Sequence, residues 1–213
     1  MVEKTRAQVV AELTAAGQPF ELIAGSIFGR DCLRFKTAPA TLRDLFADAR
    51  SDAPFIVYGD TRLSFAETYA AAAQVASVLV NDYSIERGDR VAISMRNYPE
   101  WILSFMAVTA VGGIAVAMNA LWRPDEMAFG LSDSGAKVLL ADQERLDRFA
   151  DITPALDIQV IAVRPDATEH PNLADLVSAY AEVTEMPAQQ PDPEDDATLM
   201  YTSGSTGKPK GIM

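Results

Sequence analysis

Apolar and polar positions along this chain repeat with two different periods, and the changes of period mark its elements. Residues 2–16 carry Val9, Val10 and Leu13 at helical spacing. Thr41 precedes Leu42-Arg43-Asp44-Leu45-Phe46 and is placed to cap a second helix. The β-prone runs 55–58 and 61–64 flank Gly59-Asp60, which predicts a hairpin. An alanine-rich helix is expected over 65–80. Beyond it, strand patterns at 91–95, 114–118, 137–141 and 159–163 alternate with helical patterns at 100–111, 124–132, 143–150 and 173–180. The strands are continuous apolar runs, as expected when both faces are covered. Strands separated by helices predict an α/β fold with a doubly wound, mostly parallel sheet flanked by helices.

The alternation breaks once. Residues 185–196 hold three prolines and five acids without a basic residue, and read as a linker. The chain therefore divides into an N-terminal helical or extended segment (1–54), an α/β subdomain (55–184), the acidic linker (185–196) and a final strand and loop (197–213). The uncharged run 101–122 is long enough to cross a membrane. Gly112-Gly113 divides it, however, and Thr109 and Asn119 lie inside it. A buried helix followed by a buried strand is the better reading, and no membrane span is expected.

Composition narrows the functional classes. A net charge of −12 argues against nucleic acid and anionic membranes as partners. Cys32 is the only cysteine, which leaves no intrachain disulfide or thiolate metal cluster; a partly buried, inert thiol in a reducing, cytoplasmic setting is expected. His170, the only histidine, reads as a solvent-exposed loop residue. No metal-ligand spacing is visible.

The candidate chemistry lies at 201–211, Tyr-Thr-Ser-Gly-Ser-Thr-Gly-Lys-Pro-Lys-Gly, directly after the β-prone residues 197–201. Glycines let backbone N–H groups close in on a ligand; the hydroxyls of Thr202, Ser203, Ser205 and Thr206 add donors; Lys208 and Lys210 add positive charge suited to phosphate. A Walker A loop is excluded, because Thr202 stands where its first glycine would be and Pro209 replaces the Ser/Thr that binds Mg²⁺. A polar surface linker of Ser and Gly would not need the Gly-Lys-Pro-Lys-Gly ending.

This run resembles the phosphate-binding signature of the adenylate-forming superfamily of acyl- and aryl-CoA synthetases, luciferases and adenylation domains. Residues 63–67 (Leu-Ser-Phe-Ala-Glu), 97–101 (Asn-Tyr-Pro-Glu-Trp), 112–126 and 193–200 are similar to that family too, so the likeness covers about residues 40–213. The stretch 119–124 looks closer to fatty-acyl or aryl-CoA ligases than to amino-acid-activating domains. The resemblance implies the first subdomain of an N-terminal domain, incomplete here, in a protein that joins a carboxylic acid to coenzyme A using ATP and Mg²⁺. It assigns Thr202, Ser203, Gly204, Ser205, Thr206, Gly207 and Lys208 to the β- and γ-phosphates. Lys210 is left as either a phosphate contact or a surface charge. The family's acidic Mg²⁺ residue, ribose-binding aspartate and catalytic lysine have no counterpart, so no catalytic or metal residue is assigned in this chain. An inactive N-terminal piece of a synthetase is expected; a nucleotide- or phosphate-binding module without catalysis, or a homo-oligomer built through exposed edges, is the alternative. Trp101, Phe105 and Trp122 are expected in the core rather than in an acyl cavity.

Overall fold

Arg90–Ser94 (β5) is apolar on both faces and forms the centre of a six-stranded sheet. The computed structural model describes residues 4–152, 156–202 and 209–213, in two compact units, 1–40 and 41–213.

In the larger unit, β5 lies between Ile114–Ala117 (β6) and Val138–Asp142 (β7), parallel to both. Gln159–Val163 (β8) extends the sheet beyond β7, and Thr198–Thr202 (β9) extends it beyond β6, again in parallel. Lys210–Ile212 (β10) closes the far edge antiparallel to β9, giving the order β10-β9-β6-β5-β7-β8. Pro54–Tyr58 (β3) and Thr61–Ser64 (β4) form a separate hairpin.

Alternate residues of the sheet feed two cores. Val91, Ile93, Val138, Leu140, Ile161 and Val163 pack with Phe65–Asn81 (α3), Pro99–Ala110 (α4) and Leu173–Ser178 (α7). Leu42–Asp48 (α2) packs on α4. Ala92, Val116, Leu139, Ala141, Val160 and Ala162 face Pro124–Ser134 (α5) and Gln143–Ala150 (α6) on the other side. The helix starts are written locally. Ser64 Oγ accepts from Glu67 N at 3.1 Å while Ser64 N donates to Glu67 Oε2 at 2.7 Å, a capping box for α3. Thr41 and Asp44 do the same for α2.

Two expected boundaries move. The break placed at residue 54 falls at Ala40, because α2 joins the larger unit. Residues 197–213, expected to open a second subdomain beyond a linker, instead add β9 and β10 to the same sheet.

The smaller unit contains Arg6–Leu13 (α1) and the hairpin Leu22–Ile27 (β1) with Arg30–Phe35 (β2). Thr5 and Gln8 form a capping box for α1. Phe28 and Gly29 make the hairpin turn with φ of 51° and 71°, the positive pair that matches strand twist. Glu21 is bound by Gly17 N at 2.8 Å and by Lys36 Nζ at 3.1 Å, which holds its carboxyl below the usual carboxylate range.

Candidate functional site

The loop of the glycine- and hydroxyl-rich motif leaves the sheet at the carboxyl end of β9. Lys210 pairs with Thr202, Gly211 with Tyr201 and Ile212 with Met200, so the motif connects two antiparallel strands. A P-loop or dinucleotide fold sends its glycine-rich turn into a helix and uses that helix's N-terminus. Here a strand follows the motif, and none of the described residues 209–213 is helical. Of the residues expected to hold phosphate, Thr202 is exposed at the end of β9; Ser203, Gly204, Ser205, Thr206, Gly207 and Lys208 lie outside the described residues. Lys210 is exposed opposite Thr202.

The base of this hairpin is anchored on α5. Tyr201 Oη lies 2.8 Å from Asp133 Oδ2 and 3.2 Å from Gly130 O. Its ring meets Trp122 edge-to-face at 5.3 Å and Phe129 at 6.5 Å. Burial, then the Asp133 carboxylate, push the phenol well above its usual range, so it remains a donor. Gly130 makes room for this packing, since a Cβ there would lie 2.5 Å from Trp122 Cζ3.

Next to the hairpin, the segment after β6 is held by two arginines of α6. Arg145 is 1% exposed. Its Nε donates to Ala120 O at 2.9 Å, its Nη2 donates to the same oxygen, and its Nη1 reaches both oxygens of Asp142, at 3.2 and 3.3 Å. Arg148 Nη1 donates to Ala120 O at 2.8 Å and Trp122 O at 2.9 Å. Asp142 ends β7 and caps α6, and its Oδ2 accepts from Arg96 N at 3.0 Å. A cleft of about 380 Å³ opens here between the loops after β5 and β6, walled by Tyr58, Arg96, Tyr98, Leu121 and Arg145. It lies where connections leave the sheet in opposite directions, β5 toward β6 and β7 toward β8, which is where open α/β sheets place ligands. Glu144, next to Arg145, is held below the usual carboxylate range, chiefly by its hydrogen bond from Arg96. Arg164, at φ 50°, stacks on Tyr58 and Tyr98 and pairs with Glu100 at 2.9 Å.

The acidic, proline-rich segment leading into β9 is fastened down rather than a free linker. Arg43 Nη1 donates to Pro187 O at 2.8 Å, Gln189 O at 2.7 Å and Ala110 O at 3.2 Å. Gln189 Nε2 donates to Val111 O at 2.6 Å, Met186 is buried, and Arg87 Nε pairs with Asp195 Oδ2 at 2.6 Å. That bond from Arg87 depresses the Asp195 carboxyl. The Pro187 and Gln189 carbonyls have no strand partner, and the Arg43 guanidinium supplies their donors, as the Gln189 amide does for Val111 O.

Trp101 and Phe105 stack on each other against the α3–α4 core, whereas Trp122 packs with the core on the opposite face of the sheet. The three aromatics therefore line no common cavity. His170 is half-buried, not exposed as its loop sequence predicts, and its backbone N–H donates to Thr168 Oγ1. Cys32 is half-buried. No helix among the described residues is long and apolar enough to cross a membrane. The anchoring residues Asp133, Arg145, Arg148 and Arg43 were not singled out from sequence. Arg145 and Arg148 follow Asp142 at steps of three directly after a buried strand, a signal that could have found them.

A mostly parallel α/β sheet whose motif-bearing strand is followed by an antiparallel strand rather than by a helix sets this fold apart from P-loop proteins. Residues 44–213 match the AMP-binding enzyme family, and the chain belongs to it. It is 30% identical over 158 residues to a 2-succinylbenzoate–CoA ligase of Bacillus velezensis, covering 74% of this chain and 29% of that protein. It is 32% identical to the long-chain-fatty-acid–CoA ligase FadD13 of Mycobacterium tuberculosis, over 72% of this chain and 30% of the relative. The crystal structure of the anthranilate CoA ligase AuaEII, in complex with anthranoyl-AMP, superposes with a TM-score of 0.75 at 27% identity, covering 81% of this chain and 34% of that one. The chain thus spans less than a third of the length of these two ligase sequences.

Proposed function

We propose that this chain supplies the phosphate-holding part of an ATP-dependent acyl-CoA synthetase. In that reaction a carboxylate oxygen bonds to the α-phosphorus of ATP, and the bond to the β-phosphate oxygen breaks. Pyrophosphate leaves with the bonding electrons. The thiol of coenzyme A then takes the acyl carbon and AMP departs. Thr202, Ser203, Gly204, Ser205, Thr206, Gly207 and Lys208 are assigned to the β- and γ-phosphates, where donors and a lysine stabilise charge on the leaving pyrophosphate. The observation that carries this reading is the motif's position at the carboxyl edge of a parallel sheet, on a hairpin whose base is anchored by Tyr201. The named ligase relatives support the acid, ATP and coenzyme A as substrates. The single cysteine suits a reducing, cytoplasmic setting. Mg²⁺ accompanies ATP in this reading, and no ligand for it is assigned to this chain.

The chain alone is expected to bind nucleotide phosphate without completing the reaction, because it covers about 30% of its ligase relatives. Self-association is a second reading, favoured by Met200, Ile212 and Met213, all more than half exposed along the β9–β10 edge. Calorimetric titration with Mg-ATP and pyrophosphate, run beside acid-dependent ATP–pyrophosphate exchange, tests both. Lys208→Ala is expected to weaken phosphate binding by about 1.5–3 kcal/mol. Equal binding by the wild type and this variant overturns the assignment; exchange above the variant's level shows that the 213 residues adenylate by themselves. Sedimentation at rising concentration reads the association.

A further inference from the structure

The ladder between β9 and β6 stops short of the loop. Its last pairs are Thr198, Leu199 and Met200 with Ala115, Val116 and Ala117. Tyr201 and Thr202 project beyond the end of β6 and keep only β10 as a strand neighbour. At the point where the motif leaves the sheet, the restraint on that side passes from backbone to side chain: the Tyr201 hydroxyl on Asp133 and Gly130 O, and its ring on Trp122.

Asp133 stands in the last turn of α5, where the negative end of the helix dipole disfavours a carboxylate and where no basic residue compensates. Helix stability does not account for an acid there; accepting the tyrosine hydroxyl does. Strand geometry adds a reason for a tether at this residue. A slip of one position would turn Tyr201 to the opposite face and carry every motif residue with it.

We propose that Tyr201, through its hydroxyl bond to Asp133, is a positioning residue that fixes the register and direction in which the phosphate loop leaves β9. The inference rests on the phosphate-loop reading above. Tyr201 itself touches no phosphate; it acts through the backbone that carries Thr202 and the residues after it.

Titration of the 213-residue chain with Mg-ATP and with pyrophosphate, well below its unfolding temperature, tests this when thermal unfolding is followed in parallel. Tyr201→Phe keeps the ring packing and removes the hydroxyl; it is expected to weaken binding about five-fold. Asp133→Ala is expected to match it, Asp133→Asn, which keeps an acceptor, to stay within about two-fold of the wild type, and the Tyr201→Phe/Asp133→Ala pair to be no weaker than either change alone. A lowered unfolding temperature with unchanged affinity in Tyr201→Phe and Asp133→Ala makes the contact merely structural and overturns the proposal. If Lys208→Ala loses binding while Tyr201→Phe binds as the wild type does, the phosphate reading stands and this inference falls. If the wild type binds neither ligand, both fall. Should Tyr201→Phe fail to fold, the contrast between Asp133→Ala and Asp133→Asn decides.

Discussion

The two compact units hold themselves together by different means. Among the described residues of 1–40 none is buried, and Phe28 and Leu33 are exposed by 64% and 68%. What orders that unit is local: a capping box, a two-residue turn with positive φ, and Glu21 bound to Gly17 and Lys36. In 41–213 the β5, β7 and β8 strands are largely out of solvent on both faces, and the buried Asp142 carboxylate is matched by the buried Arg145 guanidinium. Local order makes each element separable; burial makes a residue's loss felt by the whole unit.

Arg145→Ala should break the larger unit most. It leaves Asp142 buried without its guanidinium and Ala120 O with two donors fewer, at a cost of about 3–5 kcal/mol in denaturant unfolding. Gly130→Ala comes next, about 1–3 kcal/mol, because the new methyl collides with Trp122; pairing it with Trp122→Phe should recover part of the loss. In the smaller unit Thr5→Ala removes the α1 cap at about 1 kcal/mol. Its effect should appear as faster amide exchange within α1 and leave the unfolding of 41–213 unchanged; a global shift as large as that of Arg145→Ala would refute the division drawn here.

The smallest effect expected is on pH dependence. Arg87 lowers the Asp195 carboxyl in the folded chain, so the stabilisation is complete above the ordinary aspartate range and is lost as pH falls through the depressed value. Both partners are partly exposed, so solvent screening keeps the contribution small. Arg87→Ala should flatten the acid limb of a stability–pH profile slightly.

Periodicity revealed most of the larger unit. Residues 143–150 and 159–163 coincide with α6 and β8, and α3, α4, β5, β6 and β7 differ from expectation by one or two residues at their ends. Long alternating or continuous apolar runs determine such elements whatever surrounds them. The β1–β2 hairpin was hidden because its turn is Phe28-Gly29, without the Asn-Gly or Asp-Gly that announces positive φ. The strand β10 is three exposed residues that exist only through pairing with β9. At the site, the motif was legible as chemistry but its support was not. Arginine is mostly a surface residue, so neither the burial of Arg145 nor the grip of Arg43 on a proline-rich segment can be read from composition. Tyr201 looked like one more β-former until its partner on α5 was known.

The place of β9 in the sheet has a consequence for synthesis. Ala117 ends beside Met200, so as the chain emerges from the ribosome β5, β6, β7 and β8 are all made before the outer neighbour of β6 exists. Throughout that interval β6 is an open edge of apolar residues, the kind of surface on which nascent chains mispair. The glycine- and hydroxyl-rich motif is therefore borne by the last strand to join the parallel sheet, and slow closure of this distant pairing, rather than formation of the central strands, should limit how fast that edge matures.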